Sequence, residues 1–216
     1  MDNVDEYVLP RKKMVQEQIE NRDISSPEVL AAMKKIPRHL FVKSEFRKCA
    51  YHDRPLPIDE GQTISQPYIV ALMTELLKLN PNSKVLEIGT GCGYQTAVLA
   101  ELAKEIYSIE IIPKLAYSAE ARLNALNYQN VYLKQGNGYY GWIEQAPYNA
   151  VLVAAAPKKI PYRLTQQLAD RGRMVIPVGS EFQELLLITK SSGKIDTERI
   201  TGVSFVPMTG TPMEKS

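Results

Sequence analysis

Lys84-Val85-Leu86-Glu87-Ile88-Gly89-Thr90-Gly91-Cys92-Gly93-Tyr94 is the stretch that decides how this chain folds. Its first five residues are a short, mostly apolar run, which suits a strand. Three glycines at alternate positions follow, and Tyr94 to Ala103 reads as a helix. Glycine lets the backbone turn sharply and lets a ligand approach without a Cβ in the way. The pattern then repeats downstream. Glu105 to Glu110 reads as a second strand, Leu115 to Leu126 as a helix and Val131 to Lys134 as a third strand. Tyr148 to Ala154 is a nearly all-apolar fourth strand, and Pro161 to Ala169 is a helix. Arg173 to Val178, Glu184 to Thr189 and Ile200 to Val206 are the remaining strands. Strands alternating with helices imply right-handed crossovers and a mainly parallel sheet. No helix fits between 173–178 and 184–189, so these two predict an antiparallel edge. The expected fold is α/β: a Rossmann-like, mainly parallel, doubly wound sheet.

Upstream the character changes near residue 80. Residues 11–21 predict a helix, with Met14, Val15, Gln18 and Ile19 at helical spacing. Ser25-Ser26-Pro27-Glu28 is a helix start. A serine oxygen accepts a free N–H, proline suits the first turn, and glutamate faces the positive end of the dipole. That helix carries Val29, Leu30, Met33 and Ile36 and stops before Pro37. Residues 38–66, with Pro55, Pro57 and Gly61, read as a long surface segment. Pro67 opens a further helix with Ile69, Val70, Leu72, Met73, Leu76 and Leu77 on its buried side. The chain is expected to be one domain over 1–216. Residues 1–80 give N-terminal helices and a substrate-side segment, and 81–216 give a cofactor-binding core.

Composition excludes several classes. The formal charge is +2, from 26 basic and 24 acidic residues, with no basic stripe or tail. That argues against a nucleic-acid partner. Cys49 and Cys92 lie far apart, and Cys49 with His52 is an isolated pair, so neither a disulfide framework nor a metal centre is expected. Residues 1–22 are mainly polar or charged, unlike a signal peptide, and no apolar run approaches the ~20 residues that span a bilayer. A cytoplasmic protein with no membrane partner is expected, working as a monomer.

Ligands of an open parallel sheet bind beyond the carboxyl ends of its central strands. Three features converge there. The glycine spacing is G-x-G-x-G, not the G-x-G-x-x-G of dinucleotide folds, and Glu87 stands two residues before its first glycine. A dinucleotide presents a pyrophosphate to the helix start. S-adenosylmethionine presents a sulfonium and an ammonium, which a nearby carboxylate suits. Glu110 ends the second strand, where an acceptor takes both ribose hydroxyls. Gln135-Gly136-Asn137-Gly138 follows the third strand. There Asn137 meets the adenine amino group, or the segment is an ordinary Asn-Gly turn.

These residues, with others, resemble the protein-L-isoaspartate O-methyltransferase family along nearly the whole chain. Val85 to Ala97 is similar to the family's first methyltransferase motif, and Gly61-Gln62-Thr63-Ile64-Ser65-Gln66-Pro67 to the family-specific segment before it. Ile36-Pro37-Arg38-His39-Leu40-Phe41-Val42, Ala154-Ala155-Ala156-Pro157, Val175-Ile176-Pro177-Val178-Gly179 and Phe205-Val206-Pro207-Met208 match as well. The resemblance implies a Rossmann-like S-adenosylmethionine-dependent methyltransferase with an N-terminal helical extension. It implies S-adenosyl-L-methionine as co-substrate, held by Glu87, Gly89, Thr90, Gly91, Cys92, Gly93, Gln95, Thr96, Glu110, Asn137 and Gly138, with no metal. It implies Ser65 as the catalytic serine and Thr63, Ile64, Val206 and Thr209 as substrate contacts. The family usually has serine at Cys92 and aspartate at Asn137. The second change loses a charge beside the cofactor and implies weaker binding, by about tenfold.

The implied reaction methylates the free α-carboxylate of an isoaspartyl residue in a damaged protein, and the ester then closes to a succinimide, initiating repair. A carboxylate is already ionised at pH 7, so no general base is needed, and neither the glycine segment nor the Ser65 segment contains a histidine. Ser65 has two readings: a donor to that carboxylate, or a cap on the helix that follows. The alternatives for function are methylation of another small acceptor and a non-catalytic S-adenosylmethionine-binding homologue. A NAD-dependent dehydrogenase is disfavoured by the glycine spacing. A nucleic-acid amino methyltransferase is disfavoured by Ala154-Ala155-Ala156-Pro157, where a base-stacking aromatic would stand.

Overall fold

The computed structural model describes residues 4–212. A helical run opens it: α1, Val8–Met14, continues as a π-helical turn, Val15–Ile19, and a 3₁₀ turn, Glu20–Arg22. It starts three residues before the predicted 11. Pro10 falls in its first turn, where a missing N–H costs little. Met14, Val15 and Ile19 are buried, as the spacing predicted. α2, Pro27–Lys35, follows the expected cap, with the Ser26 hydroxyl accepting from Val29 N at 3.3 Å. It ends where Ile36 turns extended ahead of Pro37.

The segment 38–66 runs over the surface, with Ser44, Glu45, Lys48, residues 52–55 and residues 59–61 exposed, but it is anchored inward. Arg38, His39, Phe41, Ala50, Leu56, Ile58 and Ile64 are all buried. Its prolines and glycine do break regular structure, but the side chains between them pack onto α1, α2 and the helix after the glycine loop. Only short 3₁₀ turns and a two-stranded ribbon form there. The ribbon pairs β1, Leu56–Pro57, with β2, Thr63–Ile64. α3, Pro67–Leu76, comes next. It buries Val70, Ala71, Met73 and Thr74, while Ile69, Leu72 and Leu76 stay half-exposed.

The core sheet holds β3 (Lys84–Ile88), β4 (Glu105–Glu110), β5 (Val131–Gln135), β6 (Tyr148–Val153), β7 (Leu168–Gly179), β8 (Gln183–Ser191) and β9 (Lys194–Val203). Its order is β5-β4-β3-β6-β7-β8-β9. The first five strands are parallel, and β8 and β9 are antiparallel. β4 lies on one side of β3 and β6 on the other, so the strand order reverses at β3 and opens a crevice beyond its carboxyl end. Side chains alternate across the sheet. Val85, Ile106, Leu152 and Val175 face α3 and α4 (Tyr94–Ala100), and Leu86, Ile109, Val153 and Ile176 face the side that carries α6 (Tyr162–Gln167). α5, Pro113–Ala125, packs through Leu115 and Leu123 beside α4. β9 begins at Lys194, not Ile200. Its side chains are nearly all exposed, so it lacks an apolar signal, and Ser192 and Gly193 both take the positive φ of a tight hairpin turn. Among the described residues no helix is long and apolar enough to cross a membrane.

Candidate active site

A cavity opens at the carboxyl ends of β3, β4 and β6. The glycine loop forms one wall, and Gln62 to Ser65 and Phe205 to Thr209 face it. The loop needs its glycines for conformation: φ is +93°, +56° and +86° at Gly89, Gly91 and Gly93. Gly138 is needed for a different reason. A Cβ there would sit 2.3 Å from Ile88 Cγ2, so the chain crosses the end of β3 too closely for any side chain.

Glu110 organises the loop. It is only 5% exposed. Its Oε2 accepts from Gly91 N at 2.8 Å and its Oε1 from Ile112 N at 2.9 Å. Each oxygen keeps a lone pair for a ligand hydroxyl. Glu110 is also the sole charged residue on the described cavity wall, and no Lys, Arg or His lines it. A pyrophosphate would meet no cation here, whereas a sulfonium meets an anion.

Ser65 lines the cavity between Ile64 and α3. The cap position of α3 is Gln66, with no side-chain cap bond, so the capping role read for Ser65 is not realised. Its carbonyl accepts from Arg38 Nη2 at 2.7 Å. Cys92 lines the wall and is 7% exposed, and burial pushes its thiol up, which keeps it neutral. Its carbonyl accepts from Arg122 Nη1 at 2.7 Å. Gln95 donates to the Thr74 hydroxyl at 2.9 Å.

The structure brings Thr63, Ile64, Ser65, Gly89, Thr90, Gly91, Cys92, Gln95, Glu110, Gly138, Val206 and Thr209 to one cavity. Glu87, Gly93 and Thr96 are buried away from the lining, and the half-buried Asn137 is not on it either. Asn137 Oδ1 accepts from Tyr139 N at 3.0 Å and its Nδ2 donates to Thr211 O at 2.9 Å. The amide expected to meet adenine is therefore capping a turn. Phe205 to Met208 is not the end of β9 but a strip tied to Ala156. Ala156 N donates to Val206 O at 2.9 Å and Met208 N to Ala156 O at 2.8 Å. Sequence reasoning missed Ile111 and Ile112, which follow Glu110 on the cavity wall, and Met208, which also lines it. Two β-branched residues directly after the acidic strand end were the available signal. Among the described residues no group of three or more His, Cys, Asp or Glu could hold a metal ion.

Glu87 is fully buried under the loop. Its Oε2 accepts from Thr96 Oγ1 and Ser108 Oγ, both at 2.6 Å, and Ser108 Oγ lies 2.6 Å from Thr90 Oγ1. Burial pushes its pKa up from the ordinary 4.5 to about 7, the two hydroxyls oppose this, and the Glu110 charge adds to it. A raised carboxyl pKa gives stability that is complete below the unfolded value and is lost as pH rises through the folded one. Between pH 4.5 and about 7 the wild-type protein should lose stability that Glu87→Gln, which cannot ionise, keeps. The difference is on the order of 3 kcal/mol. Thermal unfolding of both proteins across that range checks it, and parallel curves would show that Glu87 does not titrate on folding.

The family model described as Protein-L-isoaspartate(D-aspartate) O-methyltransferase (PCMT) matches residues 10–213. A protein-L-isoaspartate O-methyltransferase of Picosynechococcus sp. is 53% identical over 206 residues, covering 95% of this chain and 93% of that one. A solved protein-L-isoaspartate O-methyltransferase superposes with a TM-score of 0.86 at 28% identity, covering 94% of this chain and 67% of the other. A structure from Plasmodium falciparum, described as a protein-L-isoaspartate O-methyltransferase in complex with S-adenosyl-L-homocysteine, gives 0.79 at 25% identity. It covers 92% of this chain and 98% of that one.

Proposed function

The chain belongs to the protein-L-isoaspartate(D-aspartate) O-methyltransferase family, and from that membership we propose how its cavity performs the reaction. The protein transfers a methyl group from S-adenosylmethionine to the free α-carboxylate of L-isoaspartyl residues in damaged proteins. Matches along the chain's length leave methylation of another small acceptor, or binding without catalysis, unfavoured.

The observation that carries the reading of the site is the charge pattern of its wall: one carboxylate, Glu110, and no basic side chain, with Ser65 and the glycine loop on the same cavity. Glu110 takes the ribose hydroxyls. Ile111, Ile112 and the close-packed Gly138 give the adenine an apolar slot. S-adenosylmethionine supplies an electrophilic methyl on a sulfonium. A carboxylate oxygen of the substrate forms the new O–CH₃ bond as the C–S bond breaks, and that electron pair stays on sulfur. No proton moves, because a carboxylate with a pKa near ~3.5–4 is ionised at pH 7.

The chain's work is therefore alignment and removal of water. The Ser65 hydroxyl donates to one carboxylate oxygen and leaves the other in line with the methyl. Positioning of this kind supplies up to ~7–11 kcal/mol. Ile64, Val206 and Met208 keep water from the reacting pair, and in that setting anion and sulfonium attract more strongly. The methyl ester then closes to a succinimide without help from the protein.

Thr63, Ile64, Val206 and Thr209 form the acceptor side. The two-stranded ribbon leaves one edge of Thr63–Ile64 unpaired, which supports β-addition of the substrate backbone there. The Val206 carbonyl is already committed to Ala156, so Val206 contributes its side chain. The reading has the protein working as a cytoplasmic monomer on polypeptides. The groove that adjoins Thr63, Ser65 and Val206 is lined by Glu181 and Glu184 and by no basic side chain, which supports a polypeptide over a nucleic acid, since a nucleic acid would call for basic residues. Labelled-methyl transfer to a pair of peptides differing only in aspartyl or isoaspartyl linkage tests this function.

A further inference from the structure

A buried cation sits directly behind the acceptor segment. Arg38 has no exposed surface. Its Nε donates to Ala50 O at 2.8 Å and its Nη2 to Ser65 O at 2.7 Å. Its Cζ lies 4.8 Å from the centroid of the Tyr94 ring. Nη1 is equally buried and has no hydrogen-bond partner, and no carboxylate of the described residues pairs with it.

A charge buried without a counter-ion is costly, and an apolar side chain would fill the same space at less cost. The guanidinium's geometry suggests what it does instead. Its rigid fork reaches two carbonyls from parts of the chain 12 and 27 residues away. Its Cζ lies over the ring of Tyr94, the first residue of α4 and the neighbour of Gly93 in the glycine loop. Both Ser65 and Tyr94 line the cavity, one on the acceptor side and one on the donor side. Tyr94 is separately braced, edge-on to Phe41 at 5.3 Å, so it offers a fixed surface.

We propose that Arg38 is a positioning residue for methyl transfer: it fixes the Ser65 carbonyl relative to the Tyr94 ring and so sets the direction of the Ser65 hydroxyl. This rests on the reading of Ser65 as donor to the substrate carboxylate. Lysine keeps the charge and most of the stem, but it cannot bond both carbonyls with one planar group. The effect should therefore appear in turnover more than in cofactor binding.

The test is a cycle of Arg38→Lys, Ser65→Ala and the double variant. It reads kcat and both KM values on an isoaspartyl peptide, normalised to sites titrated with S-adenosylhomocysteine. In the wild-type background Arg38→Lys should lower kcat per site by about tenfold or more and leave KM for S-adenosylmethionine within about twofold. In the Ser65→Ala background it should cost less than about twofold, because the residue it acts through is gone. Wild-type kcat in Arg38→Lys overturns the proposal. So does an equal loss in both backgrounds, or a loss of titratable sites with unchanged kcat per site, since either means a role in the fold alone. Normal turnover in Ser65→Ala would instead remove the reading of Ser65, an outcome separate from the result for Arg38→Lys alone. If Arg38→Lys does not fold, Arg38→Gln enters the same cycle.

Discussion

Ser65→Ala is expected to lower kcat for an isoaspartyl peptide by roughly ten- to a hundredfold, with KM for S-adenosylmethionine within about twofold. A hydrogen bond to a charged acceptor contributes about 1.5–3 kcal/mol, and each 1.4 kcal/mol is about tenfold in rate. Ser65 has no hydrogen bond to Glu110 or the glycine loop, so removal of its hydroxyl leaves their contacts intact. The α3 cap is Gln66, so removal of the hydroxyl does not cost the helix its start. Initial-rate kinetics at saturating and limiting S-adenosylmethionine separate the two parameters. Unchanged kcat would end the catalytic assignment. An equal rise in both KM values with no change in kcat would recast Ser65 as a residue of ground-state binding.

Glu110→Ala is expected to raise KM for S-adenosylmethionine by about a hundredfold, with a smaller effect on kcat. The carboxylate has two tasks. It accepts from Gly91 N and Ile112 N, which fixes the loop against the end of β4. It also receives the ribose hydroxyls. Alanine removes both and leaves two backbone donors without partners. Glu110→Gln keeps one acceptor oxygen and should fall between alanine and the wild type, at about tenfold. Titration with S-adenosylhomocysteine in a calorimeter measures both variants without the acceptor. Wild-type affinity in Glu110→Ala would mean that the ribose binds elsewhere.

The fold was legible where burial is two-sided. β3 and β4 match their predicted bounds, since interior strands of a parallel sheet read as apolar runs. β9 was misplaced because an exposed edge has no such run. Residues 38–66 do run over the surface, but their inward anchors were not read, because prolines and a glycine mark the loss of regular structure and say nothing of the side chains between them. Phe41, Leu56, Ile58 and Ile64 in that segment were the apolar signal that pointed inward.

The site was legible where chemistry depends on one residue's position in a motif. Glu110 ends its strand and reaches the cavity. Ser65 does so from a segment recognised only by resemblance. Glu87 was placed at the rim because it precedes the glycines. Strand alternation puts it on the face of Val85, toward α4, where Thr96 waits. Asn137 had two readings, an acceptor for adenine or an ordinary turn, and its amide oxygen takes up the turn by accepting from Tyr139 N. Arg38 carried no signal in isolation, because a buried arginine is known only from what surrounds it.

Label transfer from S-adenosylmethionine to two peptides of one sequence, one with an aspartyl and one with an isoaspartyl linkage, tests the central claim most directly. Label should enter the isoaspartyl peptide alone and leave it again as the ester closes to the succinimide. Equal labelling of both peptides, or of neither while S-adenosylhomocysteine still binds, would contradict the account.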